Sequence, residues 1–548
     1  MKIIFTFLFG LLMVPLLGQQ DYDSYERLQS NIKELAQKNK SLQFQSIGKS
    51  VGGKDIWVVK LSQNPTSPKP ALLISAGFDG RHPAGTQMAM LLLEQLVNAP
   101  DFNAKLQKND LYFLPLASPD AYLSYFSKPL REKSGNATKT DDDRDGFIGE
   151  DPFEDLNKDG LITMVRIEDM SGTHIISDVD SRIMVKADPS KQQVGKYMLI
   201  TEGVDNDKDG QYNEDGSDGV NIDRNFTFDY KPFSQGSGAY AASEPETRAV
   251  VDFMFDHPNI YAVIHLGLYN NLNEPPKYDS KLAQGRIIKT WLENDAKVAA
   301  LVSKLYTDQA GLKVAPKMPA APGNFSQTVY YHTGKFSFST PGWWTPKVEE
   351  VTDTTAAAKD KMAKTAKEES PAELSFLKWA DKEGLKNVFV DWKSINHPDF
   401  PGKKAEVGGL VPYALHNPPK KYLEESVAEH KTFLENVLSA MPNLETETPK
   451  VEKLQDQLYR ITLKVANKGL LPTYAEIGDK VRFTSRFKTQ LELNKSQAMV
   501  TGRKVILENA MQPDEIRTYT WLISGKGKVK ITTGCATTGT KEITVDLN

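Results

Sequence analysis

Apolar and polar positions divide the first 440 residues into alternating strand-like and helix-like segments. Apolar runs of a length typical of buried strands occupy residues 56–59, 71–76, 111–116 and 261–265. Apolar residues recur at helical spacing in residues 20–46, 86–97 and 422–441. Strands that alternate with helices predict an α/β domain in which helices flank a mixed central sheet. We place this domain at residues 20–442.

The pattern changes near residue 444, where short runs of alternating apolar and polar residues replace the helical spacing. These runs occupy residues 458–465, 480–484, 504–507, 518–523 and 528–533. Short strands separated by turn residues are typical of a β-sandwich. We therefore predict an all-β domain at residues 445–548, with an accessory role because it carries no visible chemistry.

The N-terminus has the pattern of a secretory signal peptide. Lys2 precedes an apolar run over residues 3–17, which is short for a membrane span, and Gly18-Gln19-Gln20 follow it. We predict that residues 1–18 are a signal peptide, that the protein is secreted or periplasmic, and that no stable membrane insertion remains after cleavage. A membrane anchor is the alternative. No cysteine follows the run for lipid attachment, and Cys535 is the single cysteine, so no intrachain disulfide can form.

Length and charge limit the classes of function. A chain of 548 residues is long enough for two or three domains with large cores. The net charge is -4, the isoelectric point is near 6.2, and no basic stripe stands out. Nucleic acid is therefore not an expected partner.

Three acidic loops with one shared spacing lie between residues 138 and 218. Each reads D-x-[DN]-x-D-G, in which oxygen ligands at alternate positions can converge on one hard cation. The predicted calcium ligands are Asp141, Asp143, Asp145, Asp155, Asn157, Asp159, Asp205, Asp207 and Asp209. Pro152, Arg166 and Gly216 hold the twelfth positions, so these loops are not strict EF-hands. A merely acidic, solvated segment is the alternative.

Residues 77–85, Gly-Phe-Asp-Gly-Arg-His-Pro-Ala-Gly, follow a predicted strand and precede a predicted helix. They place Asp79 and His82 at the carboxyl end of that strand, where open α/β sheets hold active sites. His265 ends another apolar run. One carboxylate and two imidazoles suit a catalytic zinc, with the fourth position left for water or substrate. Alternatively, Asp79 and His82 are ordinary turn residues and His265 is a core histidine.

These residues resemble the M14 zinc carboxypeptidase family, and the resemblance covers roughly residues 22–440. The family motif is Gly-x-His-x-Arg-Glu, with the His and the Glu as zinc ligands. Here Asp79 stands at the His position and His82 at the Glu position, while His265 matches the third ligand. The resemblance implies that Asp79, His82 and His265 hold zinc with two ligand types exchanged. It also implies that residues 138–218 are an insertion, because the family's corresponding stretch is shorter.

A second motif carries the same resemblance. Residues 219–226, Gly-Val-Asn-Ile-Asp-Arg-Asn-Phe, resemble the family's G-V-D-x-N-R-N-F. The resemblance assigns Arg224 to the substrate's C-terminal carboxylate, which a guanidinium can hold through two hydrogen bonds. Asp223 replaces the family's Asn and is both a substrate-binding and a catalytic candidate, as a replacement base. Arg131 is placed like the arginine that polarises the scissile carbonyl. A structural ion network is the alternative for both arginines.

The family's general base is missing. Its strand K-Y-S-F-T-x-E matches residues 335–341, Lys-Phe-Ser-Phe-Ser-Thr-Pro, so Pro341 holds the Glu position. Loss of a general base costs a factor of about 10² to 10⁴ in rate. One hypothesis is a secreted zinc metallocarboxypeptidase with an altered site that hydrolyses C-terminal residues from peptides. Another is an inactive pseudopeptidase that binds peptide or protein C-termini, including cell-wall peptides. The third is a calcium-stabilised surface binding protein.

Overall fold

The computed structural model describes residues 21–64, 68–100, 102–141, 146–213, 218–348, 372–481 and 483–548. Up to residue 410 the strands are β1 (Leu42–Lys49), β2 (Asp55–Leu61), β3 (Ala71–Ala76), β4 (Asp110–Leu114), β5 (Met164–Glu168), β6 (His174–Ile176), β7 (Met184–Lys186), β8 (Tyr197–Thr201), β9 (Ile260–Leu266), β10 (Phe336–Thr340), β11 (Phe389–Ile395) and β12 (Ala405–Leu410). The α-helices are α1 (Tyr25–Lys38), α2 (Pro83–Val97), α3 (Phe102–Lys105), α4 (Pro119–Leu123), α5 (Pro245–Asp256), α6 (Ser280–Ala283), α7 (Glu293–Thr307), α8 (Phe325–Thr333), α9 (Ala372–Glu383) and α10 (Lys420–Ala440).

A mixed sheet in the order β1-β2-β4-β3-β9-β10 forms the centre of the fold. Strands β4, β3, β9 and β10 are parallel neighbours, whereas β2 pairs antiparallel with β4 and with β1. Strand β3 is buried on both faces, as its continuous apolar run predicts. Because parallel strands end at one edge, the residues that end β3 and β9 lie side by side, and Ser75 pairs with His265. The predicted mixed sheet is confirmed.

Helices cover both faces of this sheet. Successive residues of β3 point to opposite faces, so Leu72 and Ile74 join a core with α1, α2, α7 and α10. Leu73 joins the opposite core, which α5 and α8 cover. The predicted α/β architecture with flanking helices is therefore the architecture of the protein.

A second, antiparallel sheet in the order β11-β12-β5-β8-β6-β7 lies beside the first. It combines strands of the acidic stretch with β11 and β12 from near residue 400, and its small core includes Val165, Ile167 and Val407. These strands escape prediction from the sequence because four of them, β5 to β8, have only three to five residues, and β8 is half-buried throughout.

The residues beyond 443 form two antiparallel sheets. Their strands are β13 (Leu444–Thr446), β14 (Lys450–Gln455), β15 (Leu458–Asn467), β16 (Phe487–Glu492), β17 (Ala498–Thr501), β18 (Val505–Glu508), β19 (Ile516–Ser524), β20 (Gly527–Cys535) and β21 (Gly539–Leu547). One sheet has the order β13-β15-β19-β17, with β14 also paired to β15, and the other has the order β18-β16-β20-β21. The predicted all-β class is confirmed.

One strand of this region was placed wrongly. The strand predicted at residues 480–484 is absent from the described residues of that segment, where the 3-10 helix Glu476–Asp479 leads into a turn and β16 begins at Phe487. The backbone N–H groups of Glu476 and Ile477 bind Asp295, more than 180 residues earlier in the chain. A contact so distant in sequence leaves no local signal.

Several predictions concern residues that lie outside the described part of the chain. The predicted signal peptide at residues 1–18 does so, as do Asp143 and Asp145. Within the described ranges, the structure contains no helix that is both long enough and apolar enough to cross a bilayer.

Candidate ligand and metal site

The carboxyl ends of β3 and β9 place the predicted zinc ligands near one another. After β3 the chain turns through Asp79 and enters α2 at Pro83, so that His82 is the residue that caps the helix. His265 lies in β9. All three predicted ligands are buried, with exposed fractions of 9%, 2% and 1% for Asp79, His82 and His265.

Both oxygens of Asp79 are occupied by hydrogen-bond donors. Oδ1 accepts from the backbone N–H of Arg81 at 2.9 Å and from its Nε at 3.0 Å. Oδ2 accepts from Arg81 Nη2 at 2.6 Å and from Asn221 Nδ2 at 2.8 Å. Burial alone would raise the pKa of Asp79, but the hydrogen bonds and charge of Arg81 outweigh it and lower that pKa. Because a carboxylate has about four acceptor positions, this one is filled.

The two histidines each keep one free nitrogen. The Nε2 atoms of His82 and His265 are buried without a hydrogen-bond partner. The His82 ring binds the Pro341 carbonyl, and His265 Nδ1 lies 3.0 Å from Ser75 Oγ. Burial lowers the pKa of His82 to about 4 and that of His265 to about 3, so both rings are neutral at pH 7. A Cβ at Gly267 would lie 2.3 Å from His265 Nε2, so glycine keeps that side open.

Asp223 and Arg224 lie beside this cluster, on the 3-10 helix Ile222–Arg224. Asp223 accepts hydrogen bonds from Asn324 Nδ2 at 2.8 Å and from the backbone N–H of Phe325 at 3.0 Å. Burial raises the pKa of Asp223 to about 7, with a further contribution from the charge of Asp79. The half-buried Arg224 donates from Nη1 to the carbonyl of Gln235 at 3.0 Å.

Arg131 does not point into this group as a free cation. Its guanidinium forms an ion pair with Asp218 and stacks on Phe153 at 3.9 Å from the ring centroid. This arrangement matches the structural ion network that was the alternative for Arg131.

A family model described as zinc carboxypeptidase, of the M14 peptidases, matches residues 28–160 and 168–373, which is more than half of the chain. The chain belongs to the zinc carboxypeptidase family. This confirms the resemblance that the motifs at residues 77–85 and 219–226 carry. A second family model, described as a domain of unknown function (DUF8731), matches residues 443–546.

Two curated relatives are similar over a short stretch. A zinc carboxypeptidase of Saccharothrix mutabilis subsp. capreolus is 26% identical over 120 residues, which are 19% of this chain and 28% of the relative. Carboxypeptidase M of Mus musculus is 26% identical over 121 residues, which are 20% of this chain and 27% of the relative. The match thus spans less than a third of either relative. Among solved structures, thrombin activatable fibrinolysis inhibitor is similar at 14% identity and a TM-score of 0.40, covering 78% of each chain.

The description of the family names zinc as its metal. In this zinc carboxypeptidase homologue the ligand atoms of the three predicted residues do not converge on one point. Among the described residues, one group of three His, Cys, Asp or Glu side chains has ligand atoms within 4.8 Å of one another. It consists of Asp205, Asp207 and Asp209. Asp79, His82 and His265 do not form such a group. Two imidazoles fit a zinc ion, whereas the filled carboxylate of Asp79 does not, so the three residues do not fit the family's metal.

Three residues of the site were missed by the sequence analysis. Arg81 lies within electrostatic reach of Asp79, Glu132 and Asp223, which raise its pKa. Desolvation raises the pKa of Glu132, and its Oε2 accepts the backbone N–H of Tyr413. His416 lies close enough to lower the pKa of His82. Arg81 could have been identified from the Arg of the family motif, but neither Glu132 nor His416 belongs to a motif.

Two cavities are lined by residues that lie next to, or bind, the neighbours of the cluster. A polar cavity of about 480 Å³ is lined by Ser326 and Gln327 of α8, which follow the partners of Asp223 directly. An apolar cavity of about 410 Å³ is bounded by Tyr413 and Asn417. Asn417 binds the Arg81 carbonyl and the backbone N–H of Ala84, so its segment separates that cavity from the site.

The acidic loops differ in how their side chains are arranged. In one loop Asp205, Asp207 and Asp209 converge. A backbone hydrogen bond from Asp209 lowers the pKa of the exposed Asp207, but desolvation and the charge of Asp209 raise it overall. In a second loop Asp155, Asn157 and Asp159 accept hydrogen bonds from backbone N–H groups of their own loop, as the acidic side chains of the first loop also do. In the third, Asp141 accepts the backbone N–H of Gly146, while its two other predicted ligands lie outside the described residues.

Proposed function

We propose that this chain is a pseudopeptidase, a zinc carboxypeptidase homologue that binds the C-terminal carboxylate of peptides without hydrolysing them. One observation carries the proposal: the Asp79 carboxylate, at the first zinc-ligand position of the family motif, is filled by Arg81 and Asn221. The presence of Pro341 at the general-base position supports it.

Arg224 is the proposed anchor for the peptide carboxylate. Its Nη1 binds a backbone carbonyl, which fixes the guanidinium while leaving further N–H groups for a ligand. Asp223 would repel an anion if it were fully charged. Because burial raises the pKa of Asp223 to about 7, part of the population is neutral at physiological pH and the repulsion is reduced.

We expect the natural chain to bind peptides that end in a free carboxylate and to bind the same peptides weakly when the C-terminus is amidated. Arg224→Met should weaken binding about tenfold or more, because a hydrogen-bonded charge contact is lost. Arg248 is the control: it is an exposed arginine, whereas Arg224 is half-buried, and it likewise binds a backbone carbonyl, that of Ser243. Isothermal titration calorimetry on the three proteins measures the affinities.

The same peptides should remain intact after prolonged incubation with the natural chain, as analysed by mass spectrometry. Equal affinity for free and amidated C-termini would contradict the proposal, as would an equal loss in the Arg224→Met and Arg248→Met variants.

A zinc metallocarboxypeptidase with an altered site is the second candidate, favoured by the two buried, unpartnered Nε2 atoms of His82 and His265. In it, Asp223 would act as the base, since a pKa of about 7 suits proton transfer near neutral pH. Release of the C-terminal residue that stops on chelation and is lost in His265→Ala would establish this candidate and refute the pseudopeptidase. Export of the chain, expected from residues 1–18, belongs to both candidates.

Calcium binding by the acidic loops stays a prediction from the sequence. If Asp205, Asp207 and Asp209 hold calcium, a concentration about 100-fold above Kd should raise the melting temperature by roughly 3 °C, because a gain of about 2.7 kcal/mol is divided by the large unfolding entropy of a domain of this size. Differential scanning calorimetry with and without chelator measures the change. The Asp205→Asn/Asp207→Asn/Asp209→Asn variant should lose it, whereas Asp178→Asn, at an exposed acid of the same region, should keep it. An unchanged melting temperature in the natural chain would leave only a solvated acidic loop.

A further inference from the structure

Helix α8 connects the candidate site to the C-terminal β region, residues 444–548. Its N-terminal end holds Asp223 through Asn324 and the backbone N–H of Phe325. Its C-terminal end stops at Gly334, with φ of 71°, where an added Cβ would lie 2.5 Å from Thr484 Oγ1 and 2.9 Å from Gly478 Cα. This close approach packs the end of the helix directly against the C-terminal β region.

Asp295, in the first turn of α7, forms the main polar contact between the two parts. It is fully buried, and its Oδ1 accepts the backbone N–H of Glu476 at 2.7 Å. Its Oδ2 accepts the backbone N–H of Ile477 at 3.0 Å and the hydroxyl of Tyr330 at 2.8 Å. In return, Glu476 Oε2 accepts the backbone N–H of Asn294 at 3.2 Å. A buried carboxylate needs such partners, and two of the three donors belong to the C-terminal β region.

Tyr330 lies between Asp295 and the polar cavity of about 480 Å³, because it binds Asp295 and packs on a residue that lines the cavity. Its hydroxyl also accepts the backbone N–H of Leu292 at 2.9 Å, and its ring stacks on Trp291 with centroids 4.1 Å apart and planes at 4°. Trp291 lines the cavity together with Ser326, Gln327 and Tyr331 of α8. The hydrogen bonds of Asp295 therefore fix one wall of the cavity and the helix that binds Asp223.

Helix α8 needs such support because it has only nine residues. A helix this short is marginally stable by itself, so its position depends on the contacts at its two ends. One end meets the candidate site, and the other meets the C-terminal β region.

We propose that the C-terminal β region braces the ligand site, with Asp295 and Tyr330 as the positioning residues that hold α8 and the wall of the polar cavity. The region that matches a domain of unknown function thus becomes part of the binding machinery. The binding arm of the test rests on the proposed function, whereas the exchange arm does not.

Hydrogen–deuterium exchange on the full chain tests the brace. Tyr330→Phe removes one hydroxyl beside α8, and Tyr459→Phe is the matched control, because Tyr459 is equally buried and binds the carbonyl of Asn548 within the C-terminal β region. Tyr330→Phe and Asp295→Asn should speed exchange of the α8 amides about tenfold, as expected when about 1.4 kcal/mol of local stability is lost. Exchange in β3 and β15 should not change, which shows that both parts stay folded.

Affinity for a peptide with a free carboxylate should fall in the same two variants and not in Tyr459→Phe. Unchanged α8 exchange in Tyr330→Phe would overturn the brace, even if Asp295→Asn fails to fold. Faster exchange in α8 with Tyr459→Phe as well would reduce the effect to general destabilisation and also overturn it. If the natural chain binds no peptide, the proposed function fails, and the exchange measurement still decides on the brace.

Discussion

Arg81→Met is expected to lower the free energy of unfolding by about 3 kcal/mol, because it leaves the buried Asp79 carboxylate without its charge partner. The variant removes the guanidinium contacts to both oxygens, at 2.6 to 3.2 Å, and leaves the bonds from Asn221 and from the backbone. Breaking a buried pair by removing one partner costs about 3 to 5 kcal/mol. We expect the lower end because the Arg81 side chain is 38% exposed. Denaturant unfolding measures the change.

The chain offers a matched control for Arg81→Met. Arg182 binds Asp180 with the same D-x-R geometry, from its backbone N–H and its guanidinium, but Asp180 is half-buried where Asp79 is buried, and Arg182 also pairs with the exposed Asp381. Arg182→Met should cost about 1 kcal/mol or less. The double variant Arg81→Met/Asp79→Asn should regain at least half of the loss, since no buried charge remains unpaired. Equal costs at Arg81 and Arg182 would show that burial of Asp79 does not set the energy.

The fold was predictable where hydrophobic periodicity is strong and contacts are local. The uniformly apolar residues of β3 predict a buried central strand, and the helical spacing of apolar residues in α10 predicts a helix that packs on the sheet. The second sheet was missed because four of its strands have only three to five residues, and because β5 pairs with β12 some 240 residues later. Register between such distant segments is set by tertiary packing, which periodicity does not report.

The sequence could indicate which residues belong to the candidate site, but not which hydrogen bonds their side chains form. The motif at residues 77–85 and the apolar run that ends at His265 directed attention to the carboxyl ends of β3 and β9, because strand ends of a parallel sheet meet at one edge. The motif did not show that Arg81 turns back onto Asp79. The same D-x-R turn at Asp180 shows that this pairing is local geometry, so three adjacent residues already encode it. His416 and Glu132 could not have been found, since they reach the site only through folding.

The Asp79→His/His82→Glu variant, which has the family's ligand order, should bind about one zinc per chain after dialysis, where the natural chain should bind almost none. An imidazole at position 79 cannot accept the two guanidinium hydrogen bonds that Arg81 donates to the carboxylate of Asp79. The lone pair of the imidazole is therefore available for zinc. His265 already presents a buried, unpartnered Nε2, and Gly267 leaves room beside it. Adding Asn221→Asp should strengthen binding, because a carboxylate there can accept the N–H of the new imidazole and orient the ring. Elemental analysis counts the zinc.

His265→Ala in the same background should remove the bound zinc, whereas His174→Ala, at a partly exposed histidine of the second sheet, should not. If the natural chain already carries one zinc that His265→Ala abolishes, the filled carboxylate of Asp79 does not prevent binding, and the altered-site hydrolase is the better description. The zinc-bound variant should still hydrolyse peptides slowly, because Pro341 cannot accept a proton and a missing base costs about 10² to 10⁴ in rate. We therefore expect zinc binding and turnover to depend on different residues, so that the exchange of ligands should change zinc binding without restoring rapid turnover.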